Sequence, residues 1–178
     1  ERGSRPEKQD VIASVAVHLA SMAQWTEERM KTIGIRAAPK ALIFAIYDTD
    51  TETIINVEII KVPAAFAIPS ALKYIRSNVL DVLREYEVER AGIRVTESSA
   101  KSYNIARIQI EGVIQEAFAS SELQSYYIGQ ISSISARLGF ARSNFKPMLN
   151  GENNPGVEHC GSMTKEAREA ILCAMGAA

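Results

Sequence analysis

The sequence predicts an α/β domain: a mixed sheet of three antiparallel strands and then parallel strands, with flanking helices. Three observations carry this. Residues 32–36, 41–47 and 53–62 are short β-rich runs joined by polar turns. Residues 69–87 then carry apolar side chains at helical spacing, and residues 90–97 return to a strand pattern. A strand, a crossover helix and a further strand in one sheet imply a parallel pairing.

Each element has a local reason. The run 32–36 reads Thr-Ile-Gly-Ile-Arg, and 41–47 is continuously apolar, as in a strand covered on both faces. Residues 54–62 are β-branched but interrupted by Asn56, Glu58 and Lys61, which suits a more exposed strand. Asp48 to Glu52, rich in Asp and Thr, makes the hairpin turn between them. Pro63 and Pro69 bracket a short link, and Pro69 fits the first turn of a helix with Leu72, Ile75, Val79, Leu83 and Tyr86 on one stripe. The strand 90–97 ends on Glu97. A second helix is expected over 102–119, a short strand at 126–128 and a helix over 130–138. Residues 141–162 hold Pro147, Gly151, Pro155, Gly156 and Gly161 and read as one long loop. Thr164 can cap a last helix over 165–175, with Glu166 in its first turn, where the helix dipole favours an acid. No internal repeat and no low-complexity tract stands out.

Residues 1–29 stand apart. A polar lead precedes a helical pattern over 10–28, with Val11, Val15, His18, Leu19, Met22 and Trp25 on one stripe. Met30-Lys31-Thr32-Ile33 reads as a natural start running straight into the first strand. The segment 1–29 is therefore either a genuine N-terminal helical extension or an over-extended, non-native start, and 30–178 is the domain proper.

The bulk composition bounds the function. A chain of 178 residues suits one domain with a real core. Hydrophobic residues at 47% and charged residues at 23% are ordinary for a soluble protein. A net charge of −1 gives no support for non-specific DNA binding, although a local basic patch remains compatible with it. Two cysteines, Cys160 and Cys173, without CxxC spacing argue for reduced thiols rather than a disulfide scaffold or zinc ribbon. No apolar run is long enough to span a membrane. The stretch 11–23 contains His18 and two serines and lacks a cleavage signal, so it is not read as a signal peptide. A cytoplasmic bacterial protein is the expectation.

The element order over residues 32–175, with the opening Ile33-Gly34-Ile35 and Lys40 five residues beyond Ile35, resembles the ribonuclease H-like superfamily and, within it, the RuvC-type Holliday-junction resolvases. That resemblance implies a site at which carboxylates hold two Mg²⁺ or Mn²⁺ ions on either side of an in-line phosphoryl displacement. One acid would come from the first strand, one from the end of the strand after the crossover helix, and one or two from the last helix. By position Glu97 matches the second, and Glu166 or Glu169 the last. Glu111 is a further candidate ligand. The first position holds Arg36.

This departure is large. An arginine in place of an aspartate changes the local charge by two units and puts a permanent cation where a metal would sit. The repulsion in a partly buried site is on the order of several kcal/mol. The expected outcome is an ion pair of Arg36 with Glu97. Asp48 and Asp50 lie in a hairpin one strand away and cannot substitute. Arg36 and Lys40, with Arg94, are candidates to touch a phosphate. Glu111 and Glu116 are expected chiefly on a solvated helix face. His159-Cys160 offers a weak metal or nucleophile pair, with no second such pair to complete it.

The combined expectation is a RuvC-like domain with a degenerate metal site, acting as a non-catalytic binding or assembly module, with structured nucleic acid or a protein as partner and no cofactor. The alternative is a Mg²⁺- or Mn²⁺-dependent nuclease on structured nucleic acid, with Glu97, Glu166 and Glu169 catalytic and Glu97 and Glu111 on the metal. A sugar-kinase or actin-like ATPase relative ranks last, because the turn 48–52 has no glycine for phosphate. RuvC-type proteins are commonly dimers, and the stripe from Val11 to Trp25 would suit a homodimer surface.

Overall fold

The computed structural model describes residues 30–178; the readings made for residues 1–29, including the helix and its dimer surface, lie outside the described residues. β1 (Lys31–Ala38), β2 (Ala41–Asp48) and β3 (Thr53–Lys61) form the expected antiparallel meander. Then come α1 (Ile68–Glu85), β4 (Val88–Arg94), α2 (Ile105–Ala119), β5 (Ser125–Gly129) and α3 (Ile131–Arg137). α4 (Phe145–Asn150) and α5 (Lys165–Met175) complete the chain. The sheet order is β3-β2-β1-β4-β5, and β4 is parallel to both β1 and β5. Among the described residues no helix is long and apolar enough to cross a membrane.

Local chemistry accounts for the boundaries. Asp48 Oδ1 accepts from the backbone N–H of Asp50 at 2.9 Å and of Thr51 at 3.2 Å, closing the β2–β3 turn. Pro69 sits in the first turn of α1. Asn104 caps α2 by accepting from the Arg107 N–H, and Thr164 caps α5 by accepting from that of Ala167. β2 is buried on both faces, while β3 is an edge strand with Ile55 and Ile59 exposed.

Two expectations need correction. β4 ends at Arg94, so Glu97 stands in the following segment rather than closing the strand. The stretch read as one loop is broken by a 3₁₀ turn at Arg142–Asn144, by α4 and by a second 3₁₀ turn at Cys160–Ser162. Arg168 of α5 pins it: Nε donates to Cys160 O at 2.8 Å, and the two terminal nitrogens donate to Leu149 O and Gly161 O, each at 2.5 Å. Three carbonyls held on one buried guanidinium replace the regular pairing that the segment lacks.

The sheet is covered on both sides. α1 and α2 pack on one face, where Ile33, Ile35, Phe44, Ile46 and Ile93 meet Ile75, Val79, Ile114 and Phe118. α5 covers the other face, where Ala45 and Tyr47 meet Ala170 and Ala174. α5 lies unusually close to the strands because Gly34 and Gly92, register partners on β1 and β4, present no side chain. A Cβ at Gly34 would fall 2.0 Å from the Ala170 carbonyl oxygen, and one at Gly92 would fall 2.8 Å from that of Cys173. The Thr32 hydroxyl donates to Ala174 O at 2.6 Å, tying helix to strand on the same face.

Candidate functional site at the carboxyl ends of the parallel strands

Two residues beyond the glycine pair, on the same face, stand Arg36 and Arg94, again register partners. The tripeptide Gly-Ile-Arg thus occurs twice, at 34–36 and 92–94, and the parallel pairing aligns the two copies. Each copy sends its isoleucine to the apolar α1/α2 side and its arginine to the α5 side. Both arginines are nearly fully buried.

Carboxylates from three segments close around them. Glu169, on α5 five residues beyond its N-cap Thr164, places Oε2 2.6 Å from Arg36 Nε and Oε1 3.5 Å from Arg94 Nε. Neither Nε–H points along the line to its oxygen, so these contacts are ionic rather than aligned hydrogen bonds. Glu97 Oε1 lies 2.8 Å from Arg94 Nη2 and also accepts from the N–H of Ile131, at the start of α3, at 2.8 Å. Glu111, on α2, is buried; its Oε1 is 3.5 Å from Arg36 Nη1. The Glu111 carboxylate accepts from the Thr96 N–H at 3.0 and 3.1 Å and from the Thr96 hydroxyl at 2.9 Å. Arg36 Nη1 also donates to Arg94 O at 3.0 Å, which locks the two strand ends together. Two guanidinium groups and three carboxylates thus form one continuous network, buried except at the partly exposed Glu97.

The expected Arg36–Glu97 pair is not formed. Arg36 points toward α5 and α2 and takes Glu169 and Glu111, while Glu97, displaced beyond the strand end, takes Arg94. Glu111 is not on a solvated face: α2 turns it inward to satisfy Thr96. Glu166 is exposed on the outer side of α5, apart from the network. Glu116 pairs with Arg76 of α1 on the surface. Lys40 is exposed in the β1–β2 turn and borders a separate groove with Val62, Phe66 and Leu72. His159 is exposed with a left-handed backbone while Cys160 is buried, so the two make no common site. Burial holds the Cys160 thiol above its ordinary range.

A divalent ion does not fit this donor set. The carboxylates that would hold it are held by guanidinium groups or backbone N–H donors, and among the described residues no three of His, Cys, Asp or Glu are placed to bind a metal.

The network forms the floor of a cleft of about 390 Å³ whose walls add Arg107 of α2, Arg142 and Lys146. Reading the sequence missed these three. Arg142 and Lys146 fall within the stretch 141–162 read as one long loop, and Arg107 falls in the helix expected over 102–119 with no local feature to single it out. The twice-occurring Gly-Ile-Arg signals only the side-by-side placing of Arg36 and Arg94, since identical tripeptides on two parallel strands can align; nothing local marks the other three.

The fold matches known structures. The structure of Thermus thermophilus RuvC in complex with a Holliday junction substrate has a TM-score of 0.63 at 13% identity, over 83% of this chain and 91% of that one. A second Thermus thermophilus RuvC structure gives 0.62 at 14% identity, over 83% and 92%. The yeast mitochondrial Holliday junction resolvase Ydc2 gives 0.56 at 9% identity, over 83% and 78%. No protein-family model matches the sequence. No curated protein matches it either. At these identities the likeness establishes a ribonuclease H-like, RuvC-like fold.

Proposed function

We propose that this chain is a RuvC-like domain whose metal site has been replaced by an internal ion network, and that it acts as a non-catalytic binding or assembly module for structured nucleic acid. The observation that carries the reading is Arg36, with its Nε 2.6 Å from Glu169 Oε2. In a nuclease of this fold the first-strand acid and the last-helix acid share a metal ion, as the resemblance implies. Here the same two places are bridged by a guanidinium, which supplies the positive charge itself. The carboxylates are then neutralised without an ion, and no Lewis acid reaches a phosphoryl group. Nucleic acid is favoured as partner over protein because the cleft above the network is lined by basic side chains.

The test is incubation of four-way-junction, single-stranded DNA and RNA substrates with the full chain in Mn²⁺, comparing wild type with Glu97→Gln, alongside binding of the same junction. Binding without cleavage is expected. Cleavage by wild type that is lost in Glu97→Gln would establish a working carboxylate site and overturn the reading.

A further inference from the structure

We infer that the cleft at the carboxyl ends of β1 and β4 binds the phosphate of a nucleotide-sized ligand directly on its arginines, with no divalent cation in between. This deepens the binding-module reading and rests on it.

Position is the first argument. β1 and β4 are parallel neighbours, and from β1 the chain leaves toward β2 and β3 on one side and later returns to β4 and β5 on the other. Ligands of open α/β sheets sit outside the carboxyl ends of the strands at such a reversal of strand order. Charge is the second. Arg36, Arg94, Arg107, Arg142 and Lys146 line the cleft, against Glu97 among the lining carboxylates. Even with Glu111 and Glu169 counted beneath the floor, five cations face three carboxylates, so the cleft keeps a net of two positive charges in a chain whose net charge is −1. The excess lies in the outer three: among the described residues no carboxylate comes within ion-pair distance of Arg107, Arg142 or Lys146.

Unmet hydrogen-bonding capacity is the third argument. Arg107 Nε is buried and has no hydrogen-bond partner. A buried donor without an acceptor is costly, and turning the Arg107 guanidinium outward onto an anion in the cleft would supply one. Ser99 and Ser102 add exposed hydroxyl donors on the same rim. The guanidinium fork matches phosphate oxygens two at a time, and in the cleft the forks that no carboxylate among the described residues engages are those of Arg107 and Arg142, above floor arginines fixed in place by theirs. A volume of about 390 Å³ falls in the range of small-molecule pockets, which suits a single nucleotide unit better than a duplex.

The experiment measures binding of a fluorescent single-stranded oligonucleotide carrying a 5′-phosphate, of the same strand with a 5′-hydroxyl, and of adenosine 5′-monophosphate by calorimetry. All are measured in EDTA and again in Mg²⁺, with the wild-type chain and the Arg107→Gln/Arg142→Gln double variant. The expected result is that at least one phosphorylated probe binds in EDTA at least about tenfold more tightly than its unphosphorylated counterpart (adenosine, for the nucleotide), that Mg²⁺ brings no gain, and that the double variant loses this preference while melting at the same temperature. Preference confined to the oligonucleotide assigns the phosphate to a nucleic-acid end; tight binding of the monophosphate assigns it to a free nucleotide. No phosphate preference, a preference that needs Mg²⁺, or one that survives in the double variant overturns the inference. The EDTA arms contain no metal, so cleavage in Mn²⁺ would sink the non-catalytic reading without deciding this one.

Discussion

On the α1/α2 side of the sheet, Ile33, Ile35 and Ile93 meet an apolar layer of Ile75, Val79, Ile114 and Phe118. On the α5 side, the alternating residues of the same two strands are Gly34, Arg36, Gly92 and Arg94, and they meet helix backbone and a buried carboxylate. The first face is held by area removed from water, which is non-directional and tolerant of small change. The second is held by close backbone approach and by charges that must stay paired, both of which depend on a few atoms. The proposed binding cleft lies where the tolerance is lowest, because an ion network can be aimed and a hydrocarbon layer cannot.

The largest effect should come from Gly34→Ala. The added methyl would lie 2.0 Å from Ala170 O and 2.2 Å from Ala174 N, both backbone, so α5 must move away. We expect a loss of stability above about 4 kcal/mol in urea denaturation, or no folded protein. A variant within about 1 kcal/mol of wild type would mean that α5 does not pack this closely.

Glu169→Gln keeps the shape but removes the charge that faces both Arg36 and Arg94. Leaving buried cations short of a partner should cost about 3–5 kcal/mol. An unchanged denaturation midpoint would show that the network is solvated and weak.

Alkaline pH should act on the α5 side as well. Burial, and next the charge of Glu169, pushes the Cys173 thiol from its ordinary 9.0 up to about 12. Burial likewise raises the Tyr127 hydroxyl, which donates to Cys173 O at 2.9 Å. Both groups stay neutral in the folded protein while the unfolded chain ionises. The stability they contribute is therefore complete below about pH 9 and falls as pH rises toward about 12. Melting curves between about pH 8 and pH 11 should show this decline, and Cys173→Ala should flatten its lower part. A flat profile in the wild type would contradict the burial of both groups.

The smallest effect is expected on the apolar face. Ile114→Val deletes one methyl from a fully buried side chain and should cost about 0.5–1.5 kcal/mol. A larger loss than that of Glu169→Gln would reverse the contrast between the faces.

Much of the fold was legible in the sequence because the signals are local. The continuous apolar run of β2, the interrupted β3, Asp48 in the turn, Pro69 at the start of α1 and Thr164 before α5 each act within a few residues, and each stands where the pattern placed it. The candidate site was legible only in part. Arg36 stood out as a cation where the resemblance implies an acid, and Glu97, Glu111 and Glu169 do gather near it. Which acid pairs with which arginine was misread, because that depends on where β4 stops and how α2 is turned. The end of β4 at Arg94 rather than Glu97 moves the latter across to α3.

What the sequence by itself determined is the set of elements, their order and the presence of a cation at the end of β1, since periodicity, turn residues and side-chain charge are properties of neighbouring positions. Only the tertiary structure decided that two Gly-Ile-Arg copies lie side by side, that α5 descends onto the glycines, and that Arg107, Arg142 and Lys146 share one cleft with the arginine pair. These contacts join residues from 13 (Arg94 and Arg107) to 140 (Gly34 and Ala174) positions apart along the chain, and strand register and close packing of α5 create most of them.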